Sequence, residues 1–151
     1  MRITPAGLLL LQSFEGCELT AYPDSGGLPT IGWGTVRYPD GHRVALGDTC
    51  TAPEAAAWLR FEVAATEQAV DDLTVDTLTG NQFDALVCFT YNVGVGAFRG
   101  STLRRLVNLN PNDPAIRHEF AKWCHVHGEF VQGLLNRRLR EAAVYFGEVA
   151  P

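Results

Sequence analysis

Residues 17–50 forbid a long helix. The stretch holds six glycines and three prolines, four and two of them in Asp24-Ser25-Gly26-Gly27, Leu28-Pro29, Pro39-Asp40-Gly41 and Gly47-Asp48. Each is turn chemistry: glycine supplies positive φ, proline pre-sets φ, and aspartate bonds its own nearby backbone. Between the turns lie Thr30-Ile31-Gly32-Trp33 and Thr35-Val36-Arg37-Tyr38, short runs rich in β formers. Asp40-Gly41 reads as a hairpin turn leading into His42-Arg43-Val44. The segment predicts a small β-rich lobe.

Helical patterns flank it. Thr4-Pro5 is an N-cap followed by proline at the first helical position, and Gly16 stops the apolar run, so a helix is expected over 5–15. Thr51-x-x-Glu54 and Thr79-x-x-Gln82 are capping boxes opening helices of about 52–72 and 80–93. Phe83, Leu86, Val87 and Tyr91 recur at helical spacing in the second of these. Ser101 or Thr102 caps a short helix ending near Asn108, and Asp113-Pro114 starts another, with Ile116, Phe120 and Trp123 on one face. Gly133 precedes a last helix whose apolar residues are Leu135, Leu139, Ala142 and Phe146. The expected class is α+β and mostly helical. One domain over 1–151 comprises the helix 5–15, a β lobe over about 17–50 and a helical lobe over about 51–151. The natural place for a site is a cleft flanked by the two lobes.

A length of 151 residues suits one domain with a shared core. Residues 1–95 carry 4 basic and 12 acidic side chains, a net of −8; residues 96–151 carry 8 and 5, a net of +3. The overall −5 argues against a nucleic-acid partner, which calls for a basic footprint. No segment reaches the roughly 20 apolar residues of a membrane span. Leu8–Leu11 lacks a basic leader, and Glu15 and Glu18 stand where a cleavage site would be, so it reads as a core helix and not as an export signal. Synthesis in the cytoplasm is therefore expected. Cys17, Cys50, Cys88 and Cys124 form no C-x-x-C pair, and their pairing is left open. Cys124-His125-Val126-His127 crowds three potential ligands into four residues, poor spacing for zinc, and no metal or other cofactor is expected.

The turn-rich segment also brings together groups that do chemistry. Eight residues separate Glu15 from Asp24, and five separate Asp24 from Thr30. One carboxyl leaves a helix end, the second sits in a loop and the hydroxyl sits on a strand. Cleavage of a glycoside uses such a set: one acid protonates the leaving oxygen, an ionised carboxylate supports the cation or activates water, and a hydroxyl holds that water. On spacing alone, any chain with 17 acidic residues contains such triplets, and cap, turn and surface roles explain them equally well.

The stretch "EGCELTAYPDSGGLPTIGWGT" resembles the catalytic signature of phage-type lysozymes, the endolysin muramidases of tailed phages. "FDALVCFTYNVGVGAFRGSTLRRL" (83–106) and "FAKWCHVHGEFVQGLLNRRLREAAVYF" (120–146) resemble the family's second and third blocks, in order. The resemblance implies a lysozyme-like fold and hydrolysis of the β-1,4 bond between N-acetylmuramic acid and N-acetylglucosamine in peptidoglycan. It implies Glu15 as general acid, Asp24 as the second carboxylate and Thr30 as the residue positioning water. It implies inversion, with the carboxyls about 6.5–9.5 Å apart. Trp33 and Thr35 stand where many members differ, and are expected to line the cleft. By position in the second block, Tyr91 and Ser101 are candidates for touching sugar, although Tyr91 equally suits a core face. Arg137 is favoured over Arg138 as a partner of Glu15, with a surface role as the alternative. Trp123 follows Phe120 at helical spacing and reads as core.

The implied partners are glycan strands and, because no anchor or signal is evident, a holin-like permeabiliser that lets the monomeric enzyme pass from host cytoplasm to the wall. A lytic transglycosylase would cut the same bond with chiefly one acid and no water. A non-catalytic wall-binding module would lack the acid. Retention of Glu15, Asp24 and Thr30 together favours hydrolysis.

Overall fold

The computed structural model describes residues 1–75 and 77–151. The fold is α+β and mostly helical. Contacts divide it into two compact units, one of Leu11–Ala65 and one of Met1–Leu10 with Thr66–Pro151. The boundaries fall inside α1 (Pro5–Phe14) and α2 (Ala52–Leu73). The sequence draws the lobe boundary near residue 50, at the Thr51 capping box. Packing instead draws it within α2, because the first half of that helix belongs with the β-rich segment.

In the unit of residues 11–65, β1 (Glu18–Pro23) pairs antiparallel with β2 (Pro29–Gly32). The register runs Glu18 to Gly32 and Tyr22 to Thr30, so four steps on β1 face two on β2. Such a bulge bends the strand. After β2 the chain reverses in three residues: Ile31 and Thr35 exchange backbone hydrogen bonds of 2.9 Å each way. Gly32 and Gly34 both hold positive φ in this turn, at 63° and 99°. Gly32 has a second constraint, since a Cβ there would lie 3.1 Å from that of Ala55. The Gly-Trp-Gly run is thus a tight turn laid against α2. Thr20 and Thr49 form a further antiparallel bridge, as do Arg37 and Arg43 around the turn at Asp40-Gly41. Thr51 and Glu54 close the expected capping box: the Thr51 N–H donates to Glu54 Oε2 at 2.8 Å and the Glu54 N–H donates to Thr51 Oγ1 at 3.4 Å. Ala55, Leu59 and Val63 are the buried stripe of this half of α2.

The other unit is built round α3 (Gly80–Val93), which packs on α7 (Gln132–Tyr145). Every residue of α3 from Gln82 to Thr90 is buried. A helix enclosed on all sides must satisfy its own polar side chains. Asp84 accepts from the Thr4 N–H at 2.8 Å and from the Thr4 hydroxyl, and Gln82 completes the capping box with Thr79. Short helices α4 (Val95–Gly100), α5 (Thr102–Leu109) and α6 (Ala115–Ala121) follow, and α6 also packs on α7. α4 is a turn of helix that the sequence does not announce. Asn108 ends α2: its side chain donates to Leu73 O at 2.9 Å and accepts from the Val75 N–H at 3.2 Å. Phe89 is the aromatic centre, with Phe120 and Trp123 edge-on at 5.3 and 5.5 Å between ring centroids.

Two expectations need correction. The last helix begins at Gln132, so Gly133 lies inside its first turn. Of its apolar residues Ala142 is buried and Leu139 exposed, and Arg137, Arg138 and Glu141 are buried in the same helix. Trp123 lies beyond α6, which ends at Ala121, and reaches Phe89 from the following loop. Between α6 and α7 a small hairpin forms from β3 (His125–Val126) and β4 (Glu129–Phe130). His127 and Gly128 form its tight turn, both at positive φ. Leu8–Leu11 is helical as expected, with Leu10 and Leu11 buried and Leu9 exposed. No helix among the described residues is long and apolar enough to cross a membrane.

Candidate active site

Glu15, Asp24 and Thr30 all fall within the unit of residues 11–65. Glu15 is the first residue beyond α1, which ends one residue earlier than the sequence pattern predicts, and it is half-buried. Frayed helix ends routinely differ by this much. Gly16 and Cys17 then lead into β1. Asp24 directly follows β1 and opens the turn to β2. Its backbone N–H donates to Leu28 O at 3.0 Å, and the Gly27 N–H donates to Asp24 O at 2.9 Å. The side chain folds back into the same turn: Asp24 Oδ1 accepts from the N–H groups of Gly26 and Leu28, each at 2.8 Å. The tendency of aspartate to bond the backbone two residues on makes this turn local and self-contained.

Thr30 lies on β2 opposite Tyr22, one step in from the Pro23–Pro29 pair beside Asp24. It is buried, and its hydroxyl donates to Leu28 O at 2.9 Å. The Leu28 peptide therefore serves both residues, giving its N–H to Asp24 and its carbonyl to Thr30. Two consequences follow. Asp24 Oδ1 is spent on the turn, while no donor among the described residues reaches Oδ2. The Thr30 hydroxyl proton is committed to Leu28, so its oxygen faces any further partner as an acceptor. Two acceptors held on one hairpin can orient a water molecule through both of its hydrogens, which leaves a lone pair of that water for attack. The role of Leu28 was not legible in the sequence, because it is a backbone role that any residue type can fill.

The remaining sequence-selected residues fall in both units. Trp33 is half-exposed at the tip of the three-residue turn. Thr35 closes that turn and is only 1% exposed, with its hydroxyl lacking a partner. Ser101 is the N-cap of α5: its oxygen accepts from the Arg104 N–H at 3.0 Å and its hydroxyl donates to Phe98 O at 2.7 Å. Both of its bonding capacities are used locally. Tyr91 is half-buried near the C-terminal end of α3. Arg137 is buried in α7, where its Nε donates to Glu141 Oε1 at 3.0 Å and an Nη donates to Cys88 O at 3.3 Å. Among the described residues no disulfide joins Cys17, Cys50, Cys88 or Cys124; Cys17 is exposed and Cys88 and Cys124 are buried.

The charged group around Arg137 was missed. Glu141 also accepts from Arg138 Nη1 at 2.8 Å, and Arg138 reaches Asn92 Oδ1 and lies over the Phe89 ring at 5.0 Å. Arg138 and Glu141 are fully buried. Burial pushes the Arg138 guanidinium below its ordinary pKa, and the Glu141 carboxylate opposes that shift. The spacing of Arg137 and Glu141, four apart on one helix, was the available signal.

This geometry has relatives. The sequence pattern of the phage lysozyme family matches residues 12–141. The chain is 39% identical to the endolysin of Salmonella phage P22, over 96% of this chain and 98% of that protein. It is 40% identical to the endolysin of Bacillus phage PZA over 96% of this chain, and spans only 55% of that longer protein. Among solved structures, the endolysin from Escherichia coli O157:H7 phage FAHEc1 superposes with a TM-score of 0.91 at 39% identity, covering 100% of this chain and 97% of that one. With a family pattern spanning most of its length and relatives matched almost end to end, the chain belongs to the phage lysozyme family.

Proposed function

We propose that this chain is an endolysin-type muramidase that hydrolyses the β-1,4 bond between N-acetylmuramic acid and N-acetylglucosamine of peptidoglycan, with inversion. The observation that carries the reading is the Leu28 bridge, which leaves Asp24 Oδ2 and Thr30 Oγ1 as acceptors on one hairpin. In the proposed step Glu15 gives its proton to the glycosidic oxygen as the bond to the anomeric carbon breaks. The electron pair stays on that oxygen. A water held by Asp24 and Thr30 adds to the opposite face of the sugar and passes its proton to Asp24. Trp33 and Tyr91 are assigned to sugar contact, as half-exposed aromatics suited to it. Thr35 and Ser101 support the site through the turn and the helix cap in which they sit. Arg137 is assigned the supporting role for the acid.

The proposed substrate lies in the wall, and the route there from the host cytoplasm depends on a partner that permeabilises the inner membrane. The experiment is clearing of outer-membrane-permeabilised cells by wild type and Glu15→Gln. Glutamine keeps size and hydrogen bonding but delivers no proton, so activity is expected to fall at least ~100-fold. A well-folded Glu15→Gln keeping more than about a tenth of the activity would overturn the assignment. Products ending in a reducing muramic acid support hydrolysis, and anhydro sugars would favour a transglycosylase.

A further inference from the structure

A second pocket lies within the unit of residues 11–65, away from the Asp24–Thr30 hairpin in sequence and lined by neither of those residues. Its volume is ≈ 540 Å³, and its walls include Tyr38, Asp40, Asp48, Thr49, Glu54 and Trp58. We infer that this pocket is a binding site for a primary alkylammonium on a methylene stem, the chemistry of a lysine-type side chain.

The aromatic wall comes first. Tyr38 and Trp58 pack at 4.8 Å between ring centroids with their planes tilted by 57°. Two tilted rings bordering a pocket offer an apolar surface to a methylene chain and negative ring faces to a cation. Tyr38 is pinned there, because its hydroxyl donates to Asp48 Oδ2 at 2.8 Å. The wall is therefore rigid before any ligand arrives, which reduces the ordering cost of binding.

The carboxylates decide the sign of the ligand. Asp48 uses only Oδ2 for structure, accepting the Tyr38 hydroxyl and the Ala45 N–H at 2.9 Å. Glu54 uses only Oε2, accepting the N–H and hydroxyl of Thr51, each at 2.8 Å, and so neutralises the helix start with one oxygen. No donor among the described residues reaches Asp48 Oδ1 or Glu54 Oε1. Asp40 stands on the rim and is answered by His42, whose N–H donates to Oδ1 at 2.9 Å and whose ring lies 3.1 Å from Oδ2. Hydrogen bonds hold all three carboxyls below the ordinary range, so they stay charged at neutral pH. No lysine or arginine among the described residues lines the pocket. An anion is repelled, and a neutral sugar leaves this charge unanswered. An ammonium with an apolar stem uses the rings and the two free oxygens at once.

The test is a two-dimensional NMR titration of the whole chain with Nα-acetyl-lysine methylamide. Parallel titrations use the isosteric norleucine compound and N,N′-diacetylchitobiose. The lysine compound is expected to shift Thr49, Glu54 and the Trp58 indole with a Kd of order 1 mM, weakened several-fold in 0.5 M salt as exposed charges are screened. Glu54→Gln keeps the capping box, since glutamine serves at that position, and is expected to weaken binding at least ~3-fold with the spectrum otherwise unchanged. Equal shifts by the norleucine compound, tighter binding of the disaccharide at this pocket, or no shift up to about 50 mM ligand would each overturn the inference. Binding is read without turnover, so failure here and failure of the hydrolase reading are separate results.

Discussion

Gly7 and Asp84 approach so closely that a Cβ on Gly7 would lie 2.3 Å from Asp84 Cγ. Helix α1 can meet α3 here only because residue 7 has no side chain. Asp84 has nowhere to retreat. It is fully buried, and its carboxylate is held by the N–H and hydroxyl of Thr4. Gly7→Ala must push Asp84 off these bonds or move the helix, and overpacking of this kind costs ~1–3 kcal/mol before any bond is lost. We expect at least ~2 kcal/mol of destabilisation in urea unfolding, with the denaturant slope unchanged. A loss below about 0.5 kcal/mol would show that Asp84 moves aside freely.

Asp24 and Thr30 should not act independently. If both hold one water through the geometry that Leu28 imposes, removing either residue misplaces that water, and removing the second adds little. Asp24→Ala and Thr30→Ala are each expected to lower kcat strongly and KM less, because the water matters in the transition state. The double mutant should match the worse single one. The measurement is a double-mutant cycle on a soluble oligosaccharide, with circular dichroism as the check on folding. Additive losses in free energy would remove Thr30 from the shared role.

Glu141 lies against both Arg137 and Arg138, at 3.0 and 2.8 Å. Glu141→Ala removes a fully buried carboxylate from two buried guanidinium groups, and breaking a buried pair in this way costs ~3–5 kcal/mol. Ser101→Ala, which removes only a helix cap, should cost ~1 kcal/mol. Thermal and urea unfolding of the two variants checks the order. A milder effect for Glu141→Ala than for Ser101→Ala would mean that water reaches the arginines.

Tyr38 should titrate late. Burial, then its hydrogen bond to the Asp48 carboxylate, pushes its pKa up to about 12. The folded protein thus keeps this proton at pH values where the unfolded chain, with an ordinary tyrosine near 10, has lost it. Stability from this group is complete below pH ~10 and is lost as pH rises through 12. Burial pushes Tyr145 up as well, so ultraviolet titration at the phenolate band should show two late tyrosines, of which Tyr38→Phe removes one. Ordinary titration of all four tyrosines in the folded protein would refute the buried hydrogen bond.

How much of this was legible beforehand depends on the range of each interaction. The caps at Thr51 and Thr79, the turn at Asp40-Gly41 and the Gly-Trp-Gly reversal close hydrogen bonds within about five residues, so residue type and spacing already specify them. The β3–β4 hairpin was within reach by the same logic, because His127-Gly128 is a turn pair suited to positive φ. The candidate chemistry was legible as a motif, with Glu15, Asp24 and Thr30 at family spacing.

The sequence by itself determined the starts of α1, α2, α3 and α5, the turn-rich segment and the family to which the chain belongs. Only the tertiary structure decided which side chains face inward and what meets them there. In α7 Leu139 is exposed, while Arg137, Arg138 and Glu141 are buried with Ala142; their charges answer one another and reach Asn92 and Cys88 on α3. Thr35 follows a turn of glycines on the chain, and only folding buries it. Gly7 reads as a weak point in a helix until Asp84 arrives from 77 residues away to occupy the space its missing side chain leaves. Local bonds are specified by neighbours along the chain, whereas burial and close approach are specified by residues that only folding brings together.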